Sequence, residues 1–180
     1  MIIYPTPLKD CLVIEPKIYE DSRGFFLETF NEAAFIKATG INLKFVQDNH
    51  SRSSKGVLRG LHFQKTKPQG KLVRVSNGSV FDVAIDMREN SSTFGKWHGV
   101  KLSGRNKLQF WIPPGFAHGF LALEDCVDLH YKCTDYYDQN DEMIIKHDDP
   151  DLRIDWPKNL QFNISTKDQS GDLFSFIIKK

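Results

Sequence analysis

Short apolar runs follow one another along almost the whole chain, and turn-forming residues separate them. Many short runs at regular spacing are typical of a β-sandwich or barrel rather than of βαβ units. The high content of Phe, Tyr and Trp favours strands as well. The predicted strands are CLVIEP, GFFLETF, LKFVQDNHS, VLRGLHFQ, KLVRVSNG, SVFDVAIDM, WHGVKLS, LQFWIPP, AHGFLALE, VDLHYKC and MIIKH.

The segment KLVRVSNGSVFDVAIDM shows this pattern most clearly. Asn77 and Gly78 tolerate positive φ, as a tight turn requires, so we expect a β-hairpin there. Alternation on the second strand separates an apolar face from a face with carboxylates, namely Phe81, Val83, Ile85 and Met87 against Val80, Asp82, Ala84 and Asp86. Carboxylates that line a cavity need partners, because an unpaired buried charge is costly.

Only two stretches are helical in character. In NEAAFIKATG, Asn31 is a good N-cap and Gly40 can end the helix. A short turn is predicted after Ser165, in TKDQSG, whereas DDPDLRIDWP is expected to be irregular and to lie along the surface. We therefore expect an all-β sandwich or barrel with one or two short helices, as a single domain over residues 1–180.

Composition narrows the setting and the partners. The chain has 180 residues and a formal net charge of +1, so no broad basic field favours nucleic acid, and an anionic ligand must be held by local cations. Cys11, Cys126 and Cys133 form no CxxC pair. Together with the lack of an export signal or an apolar run of membrane-spanning length, they indicate a cytoplasmic protein without a membrane anchor.

Several predicted strands carry Arg, His, Gln, Asn or Lys among apolar neighbours, which departs from the ordinary alternation of a β-sandwich. They are Gln47, Asn49 and His50 in FVQDNHS, Arg59 and His62 in VLRGLHFQ, Lys71 in QGKLVR, and His118 in GFAHGF. Each such group is costly to bury unless it finds a partner or a ligand. A barrel with a polar, ligand-binding mouth accounts for all of them.

Strict alternation in VLRGLHFQ would place Arg59 and His62 on opposite faces. Gly60 lies between them and is a natural position for a β-bulge, which would turn both side chains toward one cavity. A regular ladder through residues 57–64 with Arg59 toward solvent would contradict this hypothesis.

Other interpretations of the same residues compete with a catalytic one. A lone strand histidine is more often structural, and a strand arginine more often faces solvent. Of the six histidines no two form an HxH pair, so a catalytic metal is disfavoured, although His50, His62 and His118 could converge in space. The chain has no GxSxG elbow, P-loop or GxGxxG fingerprint.

Longer segments carry a resemblance to a known family. In order along the chain they are DSRGFFLETF, FVQDNHSRSSKGVLRGLHFQ, QGKLVRV, VFDVAIDMR, FGKWHGVKLS, IPPGFAHGFLAL, YKCTDYY and DPDLRIDWP. The sequence resembles the dTDP-4-dehydrorhamnose 3,5-epimerases, which are enzymes without a cofactor, and this resemblance implies a cupin-like jelly-roll β-barrel or sandwich. The resemblance implies a carbohydrate epimerase that binds no metal and acts on dTDP-4-dehydro-6-deoxy-D-glucose.

The resemblance also implies catalytic roles. His62 takes the place of the general base, Asp168 that of the carboxylate that orients it, and Tyr131 that of the proton donor. A ketone α-proton is far less acidic than an imidazolium, so the enolate needs a cation or strong donor at its oxygen. We expect Lys71 to supply it.

The remaining positions correspond to substrate contacts. Lys71 and His118 correspond to residues around the sugar, and Tyr137 to an aromatic ring that stacks on thymine. The resemblance further assigns nucleotide or diphosphate contacts to Arg23, Glu28, Gln47, Asn49, Arg59, Glu142 and Lys167. Phe26 is expected near the nucleotide, although an ordinary core position explains it about as well.

A homodimer in which an N-terminal strand of one subunit completes the site of the other is also implied by the resemblance. Three alternatives stay open at this point. They are a mono-epimerase or 3,4-ketoisomerase of another dTDP-deoxysugar pathway, a non-catalytic sugar-binding cupin, and a metal-dependent cupin enzyme.

Overall fold

The computed structural model describes residues 1–179, and strands dominate it. In chain order the elements are β1 (Ile2–Pro5), β2 (Leu12–Glu15), β3 (Ile18–Asp21), β4 (Gly24–Leu27), α1 (Glu32–Thr39), β5 (Gln47–Ser53), β6 (Val57–Gln64), β7 (Lys71–Asn77), β8 (Ser79–Asp86), β9 (Trp97–Ser103), β10 (Gln109–Ile112), β11 (Phe116–Ala122), β12 (Val127–Cys133), β13 (Glu142–Ile144), β14 (Asn163–Ile164), α2 (Thr166–Gln169) and α3 (Phe174–Ile177). The all-β prediction is confirmed.

Two sheets face each other and form the sandwich. Sheet 1 has the strand order β1-β2-β10-β7-β12-β5, and sheet 2 has the order β13-β6-β11-β8-β9, with β14 added parallel to β6. The pair β3–β4 forms a separate hairpin. Valines, leucines and phenylalanines from both sheets fill the space between them, among them Val73, Val80, Phe110 and Leu129.

The outer face of each sheet is also covered. The C-terminal segment lies on sheet 2, where Leu152, Trp156 and Phe174 pack against strand residues such as Leu58 and Ile85. On sheet 1, Phe35 of α1 packs against Ile14, Leu72 and Trp111. Both faces of β8 are therefore in contact with protein, and the Asp86 carboxylate finds partners in Arg88, Ser91 and Thr93.

The predicted hairpin at Asn77 and Gly78 is wrong. β7 pairs with β10 and β12 in sheet 1, whereas β8 pairs with β11 and β9 in sheet 2. Gly78 does have a positive φ, of 73°. Its carbonyl accepts from the Gly104 N–H at 2.9 Å, and the Asn77 side chain donates to the Cys126 carbonyl at 2.6 Å. The turn is thus a crossover between sheets that is tied to neighbouring loops rather than closed by a ladder.

The helix at residues 32–39 begins and ends as predicted. The Asn31 side chain accepts from the Ala34 N–H at 3.0 Å, and Gly40 adopts φ 73° at the C-cap. The turn after Ser165 is α2, and 148–157 is irregular, as expected. The sequence did not predict β1, β3, β14 or α3, and residues 43–46 are not in a strand. No helix within residues 1–179 is long and apolar enough to cross a membrane.

The bulge predicted at Gly60 is confirmed. His62 of β6 lies opposite His118 of β11, and Arg59 lies opposite Phe120, so the register shifts between these pairs. Leu58 and Leu61, three positions apart, consequently pack in the same outer cluster. Arg59 and His62 therefore share the other face of β6, toward the space between the sheets.

Gly60 is required where β6 and β11 approach most closely. Its φ is +114°, and an added Cβ would lie 2.6 Å from the Gly119 Cα and 2.7 Å from the His118 carbonyl oxygen. Both obstacles are backbone atoms of a central strand, so they cannot move aside as the end of a flexible side chain would. Gly24 has a similar φ of +126°, but an added Cβ there meets nothing within 4 Å.

We expect Gly60→Ala to lower the free energy of unfolding by about 1–3 kcal/mol more than Gly24→Ala, because both lose backbone freedom but only the first is overpacked. Urea denaturation of the two variants at equal protein concentration measures this difference. Equal losses would show that backbone conformation alone, and not the close approach of β6 to β11, requires glycine at position 60.

Candidate active site

Polar inner-face residues gather at one end of the space between the sheets. Strand alternation and register bring Asn49 opposite Tyr131, and Cys133 opposite both Gln47 and Lys71. The rings of His118 and Tyr131, which come from opposite sheets, have centroids 6.4 Å apart. The side chains from sheet 2 that face this group are Arg59, His62, Asp82 and His118. The predicted polar mouth of the sandwich is therefore present.

His62 is held from behind by Asp168. Their Nε2 and Oδ1 atoms are 2.7 Å apart, and the Gly60 N–H donates to the other carboxylate oxygen at 3.4 Å. Ser165 caps α2 and accepts from the Asp168 N–H at 3.1 Å. Burial works to raise the pKa of Asp168, but the hydrogen bonds from His62 and Gly60 outweigh it and lower the pKa. The ionised carboxylate accepts from Nε2–H, which leaves Nδ1 as the basic nitrogen.

Glu142 lies on the other side of the His62 ring. Its Oε1 is 3.6 Å from His62 Nδ1, and its side chain is 9% exposed. Its Oε2 accepts from the Tyr137 hydroxyl at 3.1 Å and from Lys167 Nζ. Burial, followed by the hydrogen bond to Glu142, raises the pKa of Tyr137, and the bond to Glu142 raises that of Lys167. The residues Tyr137, Glu142 and Lys167 thus form one network beside the candidate base.

His118 has a carboxylate partner that the sequence did not reveal. Its Nε2 lies 2.9 Å from Asp82 Oδ1 and 3.0 Å from Oδ2. Asp82 is fully buried, and burial raises its pKa against the opposing influence of His118 and Lys71. The signal for this pair was the alternation of β8, which aimed Asp82 inward without indicating what it would meet.

Lys71 is 7% exposed and forms no ion pair within residues 1–179. Burial lowers the pKa of its ammonium group, while nearby Cys133, Asp82 and Glu142 act in the opposite direction. An ammonium group in this position is a strong hydrogen-bond donor, and no carboxylate among residues 1–179 pairs with it.

Tyr131 stays protonated at neutral pH. Burial, with smaller contributions from Cys133 and Glu142, raises the pKa of its hydroxyl to about 12, although Arg59 works against the shift. Its ring stands at 60° to that of His118. The site therefore offers a neutral hydroxyl on sheet 1 whose ring lies next to His118 of sheet 2, the residue that His62 faces across the ladder.

Gln47 and Asn49 are fixed by their neighbours. Gln47 Nε2 donates to Asn49 Oδ1 at 3.0 Å, and Gln47 Oε1 accepts from the Tyr137 N–H at 3.0 Å. Asn49 Nδ2 contacts Cys133 Sγ at 3.5 Å. The structure thus joins these two predicted residues to Tyr137.

Arg59 lies at the rim, where its Nε donates to Ser53 Oγ at 3.1 Å. Ser51, which alternates with Asn49 and Ser53 on the inner face of β5, was not predicted. Its Oγ is the one buried side-chain polar atom within residues 1–179 that lacks a hydrogen-bond partner. A bound polar ligand could satisfy it, and only the alternation of β5 pointed to it in the sequence.

Three predicted residues lie away from this group. Arg23 and Phe26 belong to the β3–β4 hairpin and are strongly exposed, and Arg23 pairs with Asp21 at 2.6 Å. Glu28 accepts from Asn31 Nδ2 at 2.9 Å. Phe26 borders a surface pocket with Arg74 and Gln109, on the outer face of sheet 1. Within one chain the hairpin does not join the His62 group, and Phe26 is not a core residue.

His50 does not converge with His62 and His118. Alternation of β5 places it on the outer face of sheet 1, where its ring stacks on that of His130 with centroids 4.2 Å apart. It also contacts Asp128 at 2.9 Å. No group of three or more potential metal ligands occurs within residues 1–179.

Chemically, the arrangement suits proton transfer at carbon next to a carbonyl group. It combines a carboxylate-oriented imidazole, a neutral phenol across the cavity and a buried ammonium group that can stabilise an oxyanion. None of these groups is placed to act as a nucleophile activated by a neighbouring base.

Comparison with known proteins agrees with this chemistry. The family model for dTDP-4-dehydrorhamnose 3,5-epimerase matches residues 5–175. A curated protein of that description from Methanothermobacter thermautotrophicus is 54% identical over 167 residues, which cover 92% of this chain and 90% of the relative.

Solved structures are also similar to this chain. The dTDP-6-deoxy-D-glucose-3,5-epimerase RmlC of Legionella pneumophila, in complex with dTDP-4-keto-L-rhamnose, is 54% identical with a TM-score of 0.95, covering 98% of this chain and 94% of that one. ChmJ, a 3'-monoepimerase of Streptomyces bikiniensis in complex with dTDP-quinovose, is 29% identical with a TM-score of 0.92 and covers 98% and 89%. The chain belongs to the dTDP-4-dehydrorhamnose 3,5-epimerase family.

Proposed function

We propose that this chain inverts C3 and C5 of dTDP-4-dehydro-6-deoxy-D-glucose and so forms dTDP-4-dehydro-L-rhamnose, in dTDP-L-rhamnose biosynthesis. The observation that carries the proposal is the His62–Asp168 pair, whose Nε2 and Oδ1 atoms are 2.7 Å apart, on the sheet opposite the one that carries Tyr131. The reaction uses only side chains of the protein and needs no metal or redox cofactor. One catalytic domain spans residues 1–180.

His62 removes the proton from the carbon next to the C4 ketone. Asp168 holds the proton on Nε2, so the lone pair of Nδ1 is directed to the substrate. As the imidazolium forms, the ionised Asp168 stabilises it, in the manner of the carboxylate of a catalytic triad. The C–H electron pair forms a double bond between that carbon and C4. The π pair of the carbonyl group moves to the C4 oxygen, which becomes the enolate oxygen.

Lys71 and His118 stabilise that enolate. Lys71 is buried and has no ion-pair partner within residues 1–179, so its ammonium group is available to the oxygen. His118 is oriented by Asp82 and lies on the same side of the cavity as His62. Donors that are already in place cost no reorganisation when the charge develops.

Tyr131 then delivers a proton to the opposite face of the carbon. Its high pKa, about 12, keeps the hydroxyl protonated at neutral pH until a strongly basic carbon appears. Removal from one face and delivery to the other inverts the configuration.

The nucleotide is bound beside this centre. We propose that Tyr137 stacks on thymine, that Gln47, Asn49, Glu142 and Lys167 support the nucleotide side, and that Arg59 binds the diphosphate. The side chains of Tyr137 and Lys167 are exposed at the cavity edge, where a ring and an anion have access. An arginine fork suits phosphate oxygens, and local cations are needed because the net charge is only +1.

We also propose a homodimer in which the β3–β4 hairpin completes the site of the partner. Phe26 is 66% exposed and Arg23 is directed to solvent, although the resemblance assigns Arg23 to the nucleotide or diphosphate and Phe26 is expected near the nucleotide. In a dimer, the ring of Phe26 and the guanidinium group of Arg23 would contact the nucleotide that is bound in the site of the other subunit.

We propose that the protein works in the cytoplasm. Its three unpaired cysteines are consistent with that reducing compartment.

Incubation with dTDP-4-dehydro-6-deoxy-D-glucose in deuterated water tests the function. We expect deuterium at both C3 and C5 and inverted configuration at both, read by NMR. One inverted position would instead indicate a mono-epimerase, and a carbonyl moved to C3 would indicate a 3,4-ketoisomerase. Binding of the nucleotide sugar without any deuterium uptake would identify a non-catalytic sugar-binding protein. Elemental analysis of the active protein tests for a bound metal.

Tyr131→Phe separates proton removal from proton delivery. Inversion should fall by about 10²–10⁴-fold, because the donor on the second face is gone, whereas deuterium exchange at the α-carbon should remain detectable. NMR in deuterated water measures both in one sample. If exchange disappears together with inversion, the assignment of removal and delivery to opposite faces is contradicted.

Mixing two inactive variants tests the hairpin. One variant carries His62→Ala and the other Arg23→Ala with Phe26→Ala. If the hairpin acts in the partner, each mixed dimer has one intact site, and random exchange of subunits restores about a quarter of the native activity.

Each variant mixed with native protein serves as the control for subunit exchange. If the hairpin acts within its own subunit, no mixed dimer has an intact site, and the mixture of the two variants stays inactive.

A further inference from the structure

The two ring nitrogens of His62 face two different carboxylates. Asp168 contacts Nε2 at 2.7 Å, and Glu142 Oε1 lies 3.6 Å from Nδ1. The contact with Asp168 explains how the His62 ring is oriented. Glu142 faces Nδ1, the nitrogen that takes the substrate proton, and the orientation of the ring does not require it.

On the basis of the function proposed above, two inversions on one sugar require Nδ1 to lose the proton that it took in the first inversion. After the first abstraction, Nδ1 carries a proton and Tyr131 has lost one. The same His62 must be neutral again before it can remove a second proton. Unless the sugar dissociates between the steps, the proton on Nδ1 has to leave while the substrate covers the cavity.

Glu142 is suited to receive it. Its Oε2 holds the hydrogen bonds from Tyr137 and Lys167, whereas Oε1 accepts no hydrogen bond from residues 1–179 and faces Nδ1. The side chain is 9% exposed, so bulk water does not compete freely for this position. A free carboxyl is a weaker base than imidazole, so the proton would rest on Glu142 only briefly.

We propose that Glu142 is the relay residue that returns His62 to its basic form between the two inversions. The Nδ1–H bond breaks, an O–H bond forms at Oε1, and the imidazole recovers its lone pair. The Glu142 O–H bond then breaks and water takes the proton, while the Tyr131 phenolate takes a proton from water. Both groups then stand as they did before the first step.

The surroundings of Glu142 provide a route by which the proton reaches water. Tyr137 is 47% exposed and the Lys167 side chain 53% exposed, and both contact Glu142 Oε2. The carboxylate therefore extends from the cavity to a wetted edge. The positive charge of Lys167 also restores the carboxylate form after each transfer, since it favours the anion over the neutral acid.

This role differs measurably from a nucleotide contact, which the family resemblance assigns to the same residue. Loss of a nucleotide contact weakens binding and affects both inversions alike. Loss of a relay leaves the first inversion intact and slows the second, so that singly inverted sugar accumulates.

Glu142→Gln is the sharpest test, because the amide keeps the shape of the side chain but cannot accept the proton. We expect the ratio of doubly to singly inverted product, measured by NMR in deuterated water under single-turnover conditions, to fall about 10–100-fold. Added imidazole or formate should partly restore the ratio in proportion to its concentration, since a small buffer base can take the proton from Nδ1. Native enzyme should show no such dependence.

Glu124→Gln is the matched control. Glu124 accepts a hydrogen bond from Ser79 at 2.7 Å at the end of β11, so the same substitution removes a hydrogen-bonded carboxylate outside the site. The shift in melting temperature on adding dTDP shows whether each variant is folded and binds the nucleotide. Glu142→Asp, which retains a carboxylate on a shorter arm, should give an intermediate ratio and covers the case in which the glutamine variant does not fold.

A native product ratio in a folded Glu142→Gln or Glu142→Asp variant would overturn the relay. An equal loss at both positions with weakened dTDP binding would also overturn it, in favour of the nucleotide contact. Absence of exchange at both positions in the native enzyme would instead contradict the proposed function itself, so the two failures are distinguishable.

Discussion

The contact between His62 and Asp168 imposes the strictest requirement on the structure, because it joins groups 106 residues apart in sequence at 2.7 Å. The carboxylate comes from α2, which lies within the C-terminal segment on the outer face of sheet 2, before α3. It reaches the base because β14 pairs with β6 beside it and the Gly60 N–H meets the same carboxylate. The apolar cluster under Leu152, Trp156 and Phe174 thus serves the site as well as stability, since it holds the segment that carries Asp168.

The bulge at Gly60 is the second requirement. Without the extra residue, alternation would direct Arg59 and His62 to opposite faces of β6. The bulge puts Leu58 and Leu61 together in the outer cluster and leaves Arg59 and His62 to the cavity. One irregular residue pair therefore satisfies the outer core and the active site at once, which explains why two backbones meet there through glycines 60 and 119.

The fold was largely predictable from sequence, because most strands are alternating apolar runs that a half-buried surface requires. The errors arose where contacts between distant parts of the chain decide which strands pair. Asn77 and Gly78 do form a turn, but local preference cannot tell a hairpin from a crossover between sheets. Strands β1, β3 and β14 are short and lie at edges or outside the main sheets, so their apolar patterns are weak.

The site was harder to predict, because its members meet only across space. Alternation of β8 indicated an inward Asp82 but not its pairing with His118. Alternation along β5 places His50 on the outer face, because its neighbours Asn49 and Ser51 face the cavity, so the convergence of His50 with His62 and His118 does not occur. The roles proposed for Asp168 and Tyr131 came from the resemblance to the family, since no spacing rule connects these residues to His62.

The same strands build both the core and the cavity, and this explains the position of the site. On β12 the inward residues run from Val127 and Leu129 to Tyr131 and Cys133, and on β7 they run in the opposite direction from Val75 and Val73 to Lys71. Since the two strands are antiparallel, their polar ends coincide, and the space between the sheets is apolar at one end and polar at the other. Buried polar groups cost free energy unless they are satisfied. The apolar end can offset that cost, while the polar end keeps His62, Tyr131 and Lys71 partly shielded from water, where the effects of polar and charged groups on a bound ligand are strongest.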